Sequence, residues 1–353
     1  MYKCIKFFIF ALAIVLMGCN NSKKEIVKIG VVASLTGTGS MAAQYCIDGL
    51  DLAIKELNSI DGGIRYEIIY EDCQSNPNLT GNCFKRLEMK GAKYIIVLGG
   101  QFALVAAPLS KGKNMMYFST GDYNESVLTM TDCGFRVFPN AITVADISSR
   151  FLRDSLKVSK IATISMNTVP CLIATNKFEE FIKQQNGEIV YQDKYDIGTS
   201  DFRNTIAKLA NTGVEAVFFN GFGISPAAFC SQLSQYPQFD NLIIMGDMNF
   251  STKNFAQDNK NDKLRIYYAD TEMSGIAAQK YFDDNRIRPN SFVSCCYMLP
   301  YLIDKAITAV PDVNDFKAQR KALIGHTIDT PAGRITFDDN GNANLDMKIF
   351  SLK

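Results

Sequence analysis

The sequence predicts an α/β protein with two lobes, each a parallel sheet covered by helices. Short apolar runs rich in Val and Ile alternate with segments of helical periodicity, which is typical of βαβ crossovers and parallel sheets. The predicted strands fall into two groups, and this indicates two sheets. The 353 residues are too many for one small core and sufficient for two lobes.

The first group of elements follows residue 25. A strand is predicted at 26–33, and after a turn Ser40 is placed to cap a helix. Apolar residues at helical spacing from Met41 to Leu57 mark that helix. Further strands are predicted at 65–71, 94–98 and 115–119, and further helices at 80–90 and 103–111.

The second group repeats this alternation. Helices are predicted at 141–156, 177–185, 201–211 and 226–235, and strands at 161–165, 188–195, 216–220 and 242–245. The last part of the chain departs from this alternation of strands and helices. Helices are predicted there at 275–284, 292–309 and 315–323. A hairpin-like pair of strands, 334–337 and 345–352, is predicted around an Asp-Asn-Gly turn.

The N-terminus is typical of an export signal. Lys3 and Lys6 precede an apolar run at 7–17, which is too short to span a bilayer. The run ends in Leu-Met-Gly-Cys, which resembles a bacterial lipobox. Residues 1–18 are therefore predicted to be a lipoprotein signal peptide, Cys19 the lipidated residue, and 19–25 an anchored tether. The alternative is an ordinary secretory signal that contains a cysteine by chance.

The charge of the chain is balanced. Lys and Arg number 37 and Asp and Glu 36, so the formal net charge is +1. Removal of the signal peptide removes Lys3 and Lys6, leaving 35 basic residues against 36 acidic ones. This balance gives no electrostatic reason to expect nucleic acid as a partner. No later segment is long and apolar enough for a membrane span, so attachment is expected through the lipid alone.

Ten cysteines leave room for disulfides in an exported protein. Cys4 and Cys19 belong to the signal and the anchor, and Cys73 and Cys83 bracket a loop rich in Asn, Pro and Gly. A disulfide between Cys73 and Cys83 is predicted, with buried free thiols as the alternative. The cysteine spacing is not that of a zinc knuckle and His326 is the only histidine, so no metal site is expected.

Motifs for catalysis are few. The segment 37–42 matches G-x-G-x-x-A between a strand and a helix, a weak form of the dinucleotide fingerprint, and is better explained as a turn. A single histidine, no G-x-S-x-G elbow and no phosphate-binding loop argue against an enzyme. No cofactor is expected.

Several landmarks together suggest a family. They are the segments KIGVVASLTG (28–37), AIKELN (53–58), EDCQSNP (71–77) and TPAGRITFDDNG (330–341). With these the chain resembles the type I periplasmic binding proteins that serve branched-chain amino acid (leucine/isoleucine/valine) ABC transporters. The resemblance implies two Rossmann-like lobes joined by three hinge crossovers near Asn140, Glu272 and His326, with a ligand cleft between them. Lobe 1 would comprise 26–140 and 272–325, and lobe 2 would comprise 141–271 and 326–353.

The resemblance also implies the ligand-binding residues. Lobe 1 would contribute the turns after its third and fourth strands, and lobe 2 the loops after its first, third and fourth. The implied residues are Gln101, Phe102, Ala103, Gly121, Asp122, Tyr123, Cys171, Phe222 and Asp247. Asp247 is the best candidate for holding an ammonium group. Phe102, Tyr123 and Cys171 depart from the family's hydroxyl and aromatic residues, which argues against leucine, isoleucine or valine as ligand.

The expected function is that of an extracytoplasmic, lipid-anchored, monomeric receptor. It would bind a small polar solute, such as an amino acid, an amide or an organic acid, and deliver it to an ABC permease. Ligand contacts to both lobes would favour the closed form through hinge motion. Two alternatives stay open: a sensory lipoprotein that signals to a membrane receptor, and a surface-attached enzyme that depends on His326.

Overall fold

The computed structural model describes residues 25–60, 64–121, 125–253, 255 and 263–352. The predicted signal peptide, the lipidation site Cys19 and most of the tether lie outside these ranges, and so do Asp122 and Tyr123. Among the described helices, none combines the length and the apolar composition that a bilayer crossing requires.

The first sheet has five parallel strands in the order β2-β1-β3-β4-β5. Its strands are β1 (Glu25–Ala33), β2 (Ile64–Asp72), β3 (Tyr94–Leu98), β4 (Met116–Thr120) and β5 (Gly134–Arg136). The connecting helices are α1 (Ser40–Ser59), α2 (Pro77–Met89) and α3 (Gly100–Ser110), and a 3-10 turn covers Glu125–Met130. The predicted βαβ rhythm of this region is confirmed.

Two apolar layers cover the first sheet. On one face, α2 and α3 pack through Phe84, Leu87 and Phe102 against the strands. On the other face, α1 packs with a later helix, α9 (Ser291–Thr308). The two helices cross closely, because a Cβ at Gly49 would lie only 2.3 Å from the carbonyl oxygen of Val293. This crossing brings a C-terminal helix into the first lobe.

The second sheet has six strands in the order β14-β10-β9-β8-β6-β7, parallel except for β14. Its parallel strands are β6 (Lys160–Met166), β7 (Glu188–Tyr195), β8 (Ala216–Asn220), β9 (Ile243–Gly246) and β10 (Arg265–Thr271). Its helices are α4 (Ala141–Arg150, extended by a π turn at Phe151–Ser155), α5 (Val169–Gln184), α6 (Arg203–Leu209) and α7 (Ser225–Leu233). Helices α4 and α5 cover one face, and α6 and α7 the other.

The C-terminal part serves both lobes. It contains α8 (Gly275–Asn285), α9, α10 (Phe316–Leu323), β11 (Ile328–Thr330), β12 (Gly333–Phe337), β13 (Ala343–Asn344) and β14 (Met347–Ser351). The predicted pairing of 334–337 with 345–352 is wrong: β12 pairs with β11 and β13, and β14 joins the second sheet beside β10.

The third crossover also differs from the expected one near His326. Ile328, Ile335 and Phe337 pack in the same core as the first sheet, so residues 328–345 lie with lobe 1 and only β14 lies with lobe 2. The chain therefore crosses between Asn344 and Met347 rather than at residue 326. The chain also passes from β5 of the first sheet to α4 of the second lobe, and from β10 of the second sheet to α8 and α9 of the first lobe.

A buried acid joins the two lobes at the second crossover. Asp270, in β10, is fully buried. One of its carboxylate oxygens accepts hydrogen bonds from the backbone N–H groups of Thr271 and Ser291, both at 2.8 Å, and from the Ser291 hydroxyl. Arg288 donates to the other oxygen at 2.8 Å, and the Ser251 hydroxyl lies 3.1 Å from it. Because Ser291 begins α9, this carboxylate connects the second sheet to a helix of the first lobe.

The guanidinium of Arg288 extends this cluster to the last strand. It stacks over the ring of Phe350 in β14, with 3.6 Å between the guanidinium carbon and the ring centroid. Burial raises the pKa of Asp270, and the charge of Arg288 opposes that shift. The second crossover is thus a compact polar cluster inside apolar packing.

The predicted disulfide between Cys73 and Cys83 is wrong. Both residues are free, buried thiols, and all eight cysteines in the described ranges are free and buried. The Cys83 thiol donates to the carbonyl oxygen of Asp72 at 3.3 Å, whereas the Cys73 sulfur lies 3.5 Å from the Ser34 hydroxyl. The two side chains belong to the apolar core around Phe84, and burial raises the pKa of both thiols.

Every residue of the four apolar clusters lies at or after Val27. A chain that begins at Asn20 therefore keeps every residue of these described clusters and of both sheets.

Candidate functional site

The candidate site lies at the carboxyl ends of the parallel strands, where ligands bind in open α/β sheets. Two contacts connect these ends of the two lobes. The backbone N–H of Lys253, after β9, donates to the phenolic oxygen of Tyr45 in α1 at 2.7 Å. The side chain of Met248 packs in the core of the first lobe. The strand ends of both sheets therefore border one cleft.

The first lobe contributes mainly backbone, in a set of residues called the first face: Gly99, Gly100, Gln101, Ser119 and Gly121. Helix α3 begins at Gly100 without a side-chain cap, and the N–H groups of Phe102 and Ala103 bond back to the carbonyl of Gly99. The N–H groups at the start of a helix lack intrahelical partners and carry the positive end of its dipole. This helix start is suited to bind a carboxylate.

Two glycines allow the first face to be compact. Gly99 has a φ of +103° and Gly121 a φ of +69°, which glycine adopts at little cost. The N–H of Gly99 donates to the carbonyl of Thr120 at 2.9 Å, and a Cβ at Gly121 would lie 3.6 Å from that nitrogen. The turns after β3 and β4 therefore lie directly against each other.

The predicted residues of the first lobe divide by exposure. Phe102 is 4% exposed and Ala103 0%, and both pack in the core between α2, α3 and the sheet. Gln101 is exposed at the start of α3, and Gly121 lies at the end of β4. The side chains of Phe102 and Ala103 therefore point into the core, so any contact of these two residues with a ligand would be through their backbone.

Ser119 was missed by sequence reasoning. It is fully buried near the end of β4, and its hydroxyl has no hydrogen-bond partner among the described residues. It lies on the same side of the strand as Tyr117, whose hydroxyl donates to the carbonyl of Ala103 in α3 at 3.2 Å. The Ser119 hydroxyl therefore lies on the side of the sheet that α3 covers, and a buried hydroxyl without a partner is costly.

The second lobe contributes side chains, in a set called the second face: Cys171, Tyr195, Asn220, Phe222 and Asp247. Cys171 lies in the first turn of α5, and its carbonyl accepts from the Asn220 amide at 2.9 Å. The Tyr195 hydroxyl donates to the carbonyl of Asn220 at 3.3 Å. Three loops are thereby fixed to one another.

Asp247 is the acid of the second face. It is 4% exposed, and its Oδ1 accepts from the backbone N–H of Asn249 at 3.0 Å and from the Asn249 amide at 2.8 Å. Its negative charge adds to the effect of burial on Cys171, whose pKa rises to about 12, and on Tyr195, whose pKa rises well above its usual value. Asp247, Cys171 and Tyr195 are therefore neighbours.

Two glycines are required beside these groups. A Cβ at Gly246 would lie 2.2 Å from the buried ring of Phe250, and a Cβ at Gly221 would lie 1.8 Å from the Tyr195 hydroxyl. The rim of this lobe is apolar, with Val169 and Ile197 each 69% exposed and Phe222 40% exposed. The second face thus combines a polar cluster with an apolar border.

Tyr195 and Asn220 were also missed by sequence reasoning. Tyr195 is the last residue of β7 and Asn220 the last residue of β8. A polar residue that ends a strand of a parallel sheet is a usable signal, because ligands bind at those ends. Within the described residues, no group of three or more His, Cys, Asp or Glu side chains is placed to hold a metal ion.

Comparison with known proteins agrees with this geometry. A family model described as "Periplasmic binding protein" matches residues 26–242. Leu/Ile/Val-binding protein homolog 3 of Brucella melitensis biotype 1 is 22% identical over 326 residues, covering 90% of this chain and 88% of the relative. Leu/Ile/Val-binding protein homolog 1 of Brucella abortus is 22% identical over 343 residues, with the same coverages of 90% and 88%.

Solved structures show the same fold. The branched-chain amino acid binding protein LivJ of Streptococcus pneumoniae, solved with isoleucine, superposes with a TM-score of 0.81 at 17% identity, covering 93% of this chain and 97% of LivJ. A solute binding protein of Rhodopseudomonas palustris BisB5, solved with 3,4-dihydroxybenzoic acid, gives 0.82 at 18% identity, with 93% of each chain covered. The chain therefore belongs to the type I periplasmic binding proteins of the branched-chain amino acid ABC transporter family, and like them it is a binding protein and not an enzyme.

Proposed function

We propose that this protein is a lipid-anchored receptor outside the cytoplasm that binds a small amino-bearing carboxylate and delivers it to an ABC permease. The observation that carries the proposal is the pair of opposite charges available in the cleft. The start of α3 offers backbone N–H groups to a carboxylate, and Asp247 on the second face offers a carboxylate to an ammonium group.

The carboxylate is assigned to the first face. Its N–H groups are those of Gly100 and Gln101, and the Ser119 hydroxyl supplies a donor from below. The relatives support a carboxylate as the shared feature, because isoleucine and 3,4-dihydroxybenzoic acid both carry one. The two ligands differ in whether they have an amino group.

The amino group is assigned to Asp247. Asp247 directly follows β9, at the edge of the sheet where ligands bind, and a carboxylate there attracts an ammonium group. The Tyr195 hydroxyl, which donates to the carbonyl of Asn220 at 3.3 Å, belongs to the same face. An acid in this position favours an amino acid or related amine over a plain aromatic acid.

Closure would occur about the three crossovers, which we place after β5, after β10 and between Asn344 and Met347. The contacts of Tyr45 with Lys253 and of Met248 with the first core would form on closure. The anchor is assigned to Cys19, directly after the predicted signal peptide. The protein would act as a monomer, with an ABC permease as its partner.

The test uses residues 20–353 and isothermal titration calorimetry, since the chain lacks tryptophan for intrinsic fluorescence. The panel contains amino acids, their amides, and carboxylic acids without an amino group. An amino acid is expected to bind, and Asp247→Asn is expected to weaken it roughly 100-fold, because a hydrogen bond to a charged group contributes about 1.5–3 kcal/mol. Asparagine keeps an oxygen that can cap the following turn.

The matched control is Asp201→Asn, which removes an exposed acid of the same lobe that is paired with Arg203. This control should bind ligand as the wild type does. Two results would contradict the proposal: no binding to any member of the panel after unfolding and refolding, or an affinity for the amino acid that is unchanged in Asp247→Asn.

A further inference from the structure

The edge of the first sheet that lies opposite the cleft has its own surface character. It is formed by the amino ends of β1, β3 and β4 and by the carboxyl ends of α1, α2 and α3, because the strands are parallel and the helices run back against them. This basal edge is defined by Ile26, Ile60, Met89, Lys90, Lys93, Lys111 and Lys113. The N–H of Met116 donates to the carbonyl of Lys93 at 2.9 Å, and Lys28 Nζ donates to the carbonyl of Lys90 at 3.0 Å, so these segments adjoin.

Three large apolar side chains are exposed at this edge. Met89, at the end of α2, is 86% exposed, Ile60, after α1, is 61% exposed, and Ile26, in β1, is 56% exposed. Each lies at or next to the end of its element: Ile26 is the second residue of β1, Ile60 follows α1, and Met89 is the last residue of α2. Apolar side chains beside basic ones are typical of surfaces that enter the membrane interface.

The cations of the edge are only partly neutralised. Lys90 pairs with Glu71 at 2.6 Å, and Lys113 pairs with Glu88 at 2.6 Å. Lys93 and Lys111 are exposed and take part in no ion pair among the described residues.

Two acids limit the positive charge of this edge. Glu25 lies at its border, and the carboxylate of Asp132 accepts from the N–H of Gly112 at 2.8 Å. Among the described residues, the exposed cations of this edge without an ion pair are therefore Lys93, Lys111 and Arg65, which lies opposite Ile26 at the amino end of β2. The balanced charge of the whole chain conceals this local excess.

The anchor brings the basal edge to the bilayer. Six residues separate Cys19 from Ile26, and two of them are Lys23 and Lys24. Six residues span at most about 20 Å even when fully extended. If Cys19 is lipidated as proposed, the amino end of β1 is held within that distance of the lipid, and the other residues of the edge lie beside it.

We infer that the basal edge binds the surface of a membrane that contains anionic lipids. Lys93 and Lys111 attract the headgroups, and Met89, Ile60 and Ile26 enter the interface. Between deliveries, the anchored protein then rests on its first lobe with the carboxyl ends of the strands, and so the cleft, directed away from the bilayer, and it leaves this position to present the cleft to the permease. The orientation rests on the proposed lipid anchor, whereas the affinity of the edge for anionic lipid does not need it.

The experiment measures sedimentation of residues 20–353, without lipid, on vesicles of phosphatidylcholine alone or mixed with phosphatidylglycerol, at low and at physiological salt. Binding is expected on the anionic vesicles only and should decrease with salt. The double variant Lys93→Gln/Lys111→Gln is expected to lower the partition coefficient roughly 30-fold, since each lysine near an anionic surface contributes about 1 kcal/mol. Met89→Ser should lower it further.

The matched control is Lys183→Gln/Lys208→Gln, which removes two exposed lysines from the second lobe. It should sediment as the wild type does. The inference is overturned if the wild type does not bind the anionic vesicles at low salt, if it binds neutral vesicles equally, or if the control loses as much binding as the test variant. Calorimetry with ligand on the same samples separates this outcome from failure of the proposed function, because no basal residue lies in the cleft.

Discussion

The two faces of the cleft are built from different parts of the chain. The first face presents a helix start and two glycine turns, and the side chains that follow, Phe102 and Ala103, pack in the core. The second face presents the side chains of Asp247, Tyr195 and Cys171 from three separate elements: the turn after β9, the end of β7 and the first turn of α5. Backbone N–H groups are the same in every sequence, whereas side chains change with each substitution. The first face is thus suited to a ligand group shared across a family, and the second to the group that differs.

The largest effect is expected where the two lobes join. Asp270→Ala would leave Arg288 and the start of α9 without their buried acceptor, and breaking a buried pair in this way costs about 3–5 kcal/mol of unfolding free energy. Urea unfolding measures this loss. The control is Asp329→Ala, whose carboxylate also pairs with an arginine but is 80% exposed, and it should cost less than about 1 kcal/mol.

An Asp270→Ala protein that unfolds at the wild-type urea concentration would contradict this account of the crossover. It would mean that the two lobes are held together by apolar packing alone. The relative position of the two faces would then not depend on the Asp270 cluster.

A smaller effect on the unfolding free energy distinguishes the residues of α3 that pack in the core from those that face the cleft. Phe102→Ala should lower the unfolding free energy by about 3 kcal/mol, because it removes a ring from a tightly packed core. The neighbouring Gln101→Ala should change it by less than about 0.5 kcal/mol, since that side chain is exposed. Thermal unfolding compares the two variants. If Gln101→Ala destabilised the protein as much as Phe102→Ala, the division between core and cleft along this helix would be wrong.

The smallest effect concerns pH and the loop that precedes α1. Asp72 accepts hydrogen bonds from the N–H groups of Leu35 at 2.9 Å and Thr36 at 3.2 Å, and from the Thr36 hydroxyl at 2.7 Å. Burial acts to raise the pKa of this carboxyl, but these hydrogen bonds outweigh it, so the pKa is lowered. The stabilisation is therefore present above the unfolded-state pKa of about 3.9 and is lost as the pH falls through the lower folded-state value.

The measurement for Asp72 is urea unfolding of the wild type and Asp72→Asn at pH 6 and pH 3. At pH 6 the wild type should be more stable than Asp72→Asn by no more than about 1 kcal/mol, because the carboxylate is near the surface. The difference in stability between the two proteins should shrink at pH 3. A difference that grows as the pH falls would reverse the sign of the assigned pKa shift. Asp72 thus positions the backbone of the loop before α1, as Asp247 positions the backbone of the turn after β9.

Much of the fold was predictable because local patterns specify it. The Val- and Ile-rich runs of β1 and β3 and the helical spacing of α1 gave elements within a few residues of those observed. The pairing of β14 was not predictable, because its alternating residues suit either sheet, and its place is set by contacts distant in sequence: Phe350 with Tyr268 and Arg288, and Ile349 with the second core. The local residue pattern specifies where a strand or helix lies more readily than it specifies which strand it pairs with.

The site was predictable in part. Resemblance identified the turns of Gln101 and Gly121 and the acid Asp247, but it did not show that Phe102 points into the core. Orientation at a helix start depends on one backbone angle, here that of Gly99, and no residue pattern specifies it. Likewise, the spacing of Cys73 and Cys83 suits a disulfide, yet their side chains have different neighbours in the core.

The position of the last strands has a consequence for biosynthesis. The first core needs Ile328, Ile335 and Phe337, and the second sheet needs β14, which ends at Ser351. Neither half can therefore be completed until nearly the whole chain has been made. A nascent chain that cannot complete either core stays unfolded for longer, which suits a protein that crosses a membrane before it folds. A nonsense mutation even thirty residues from the end would leave both halves with open apolar edges.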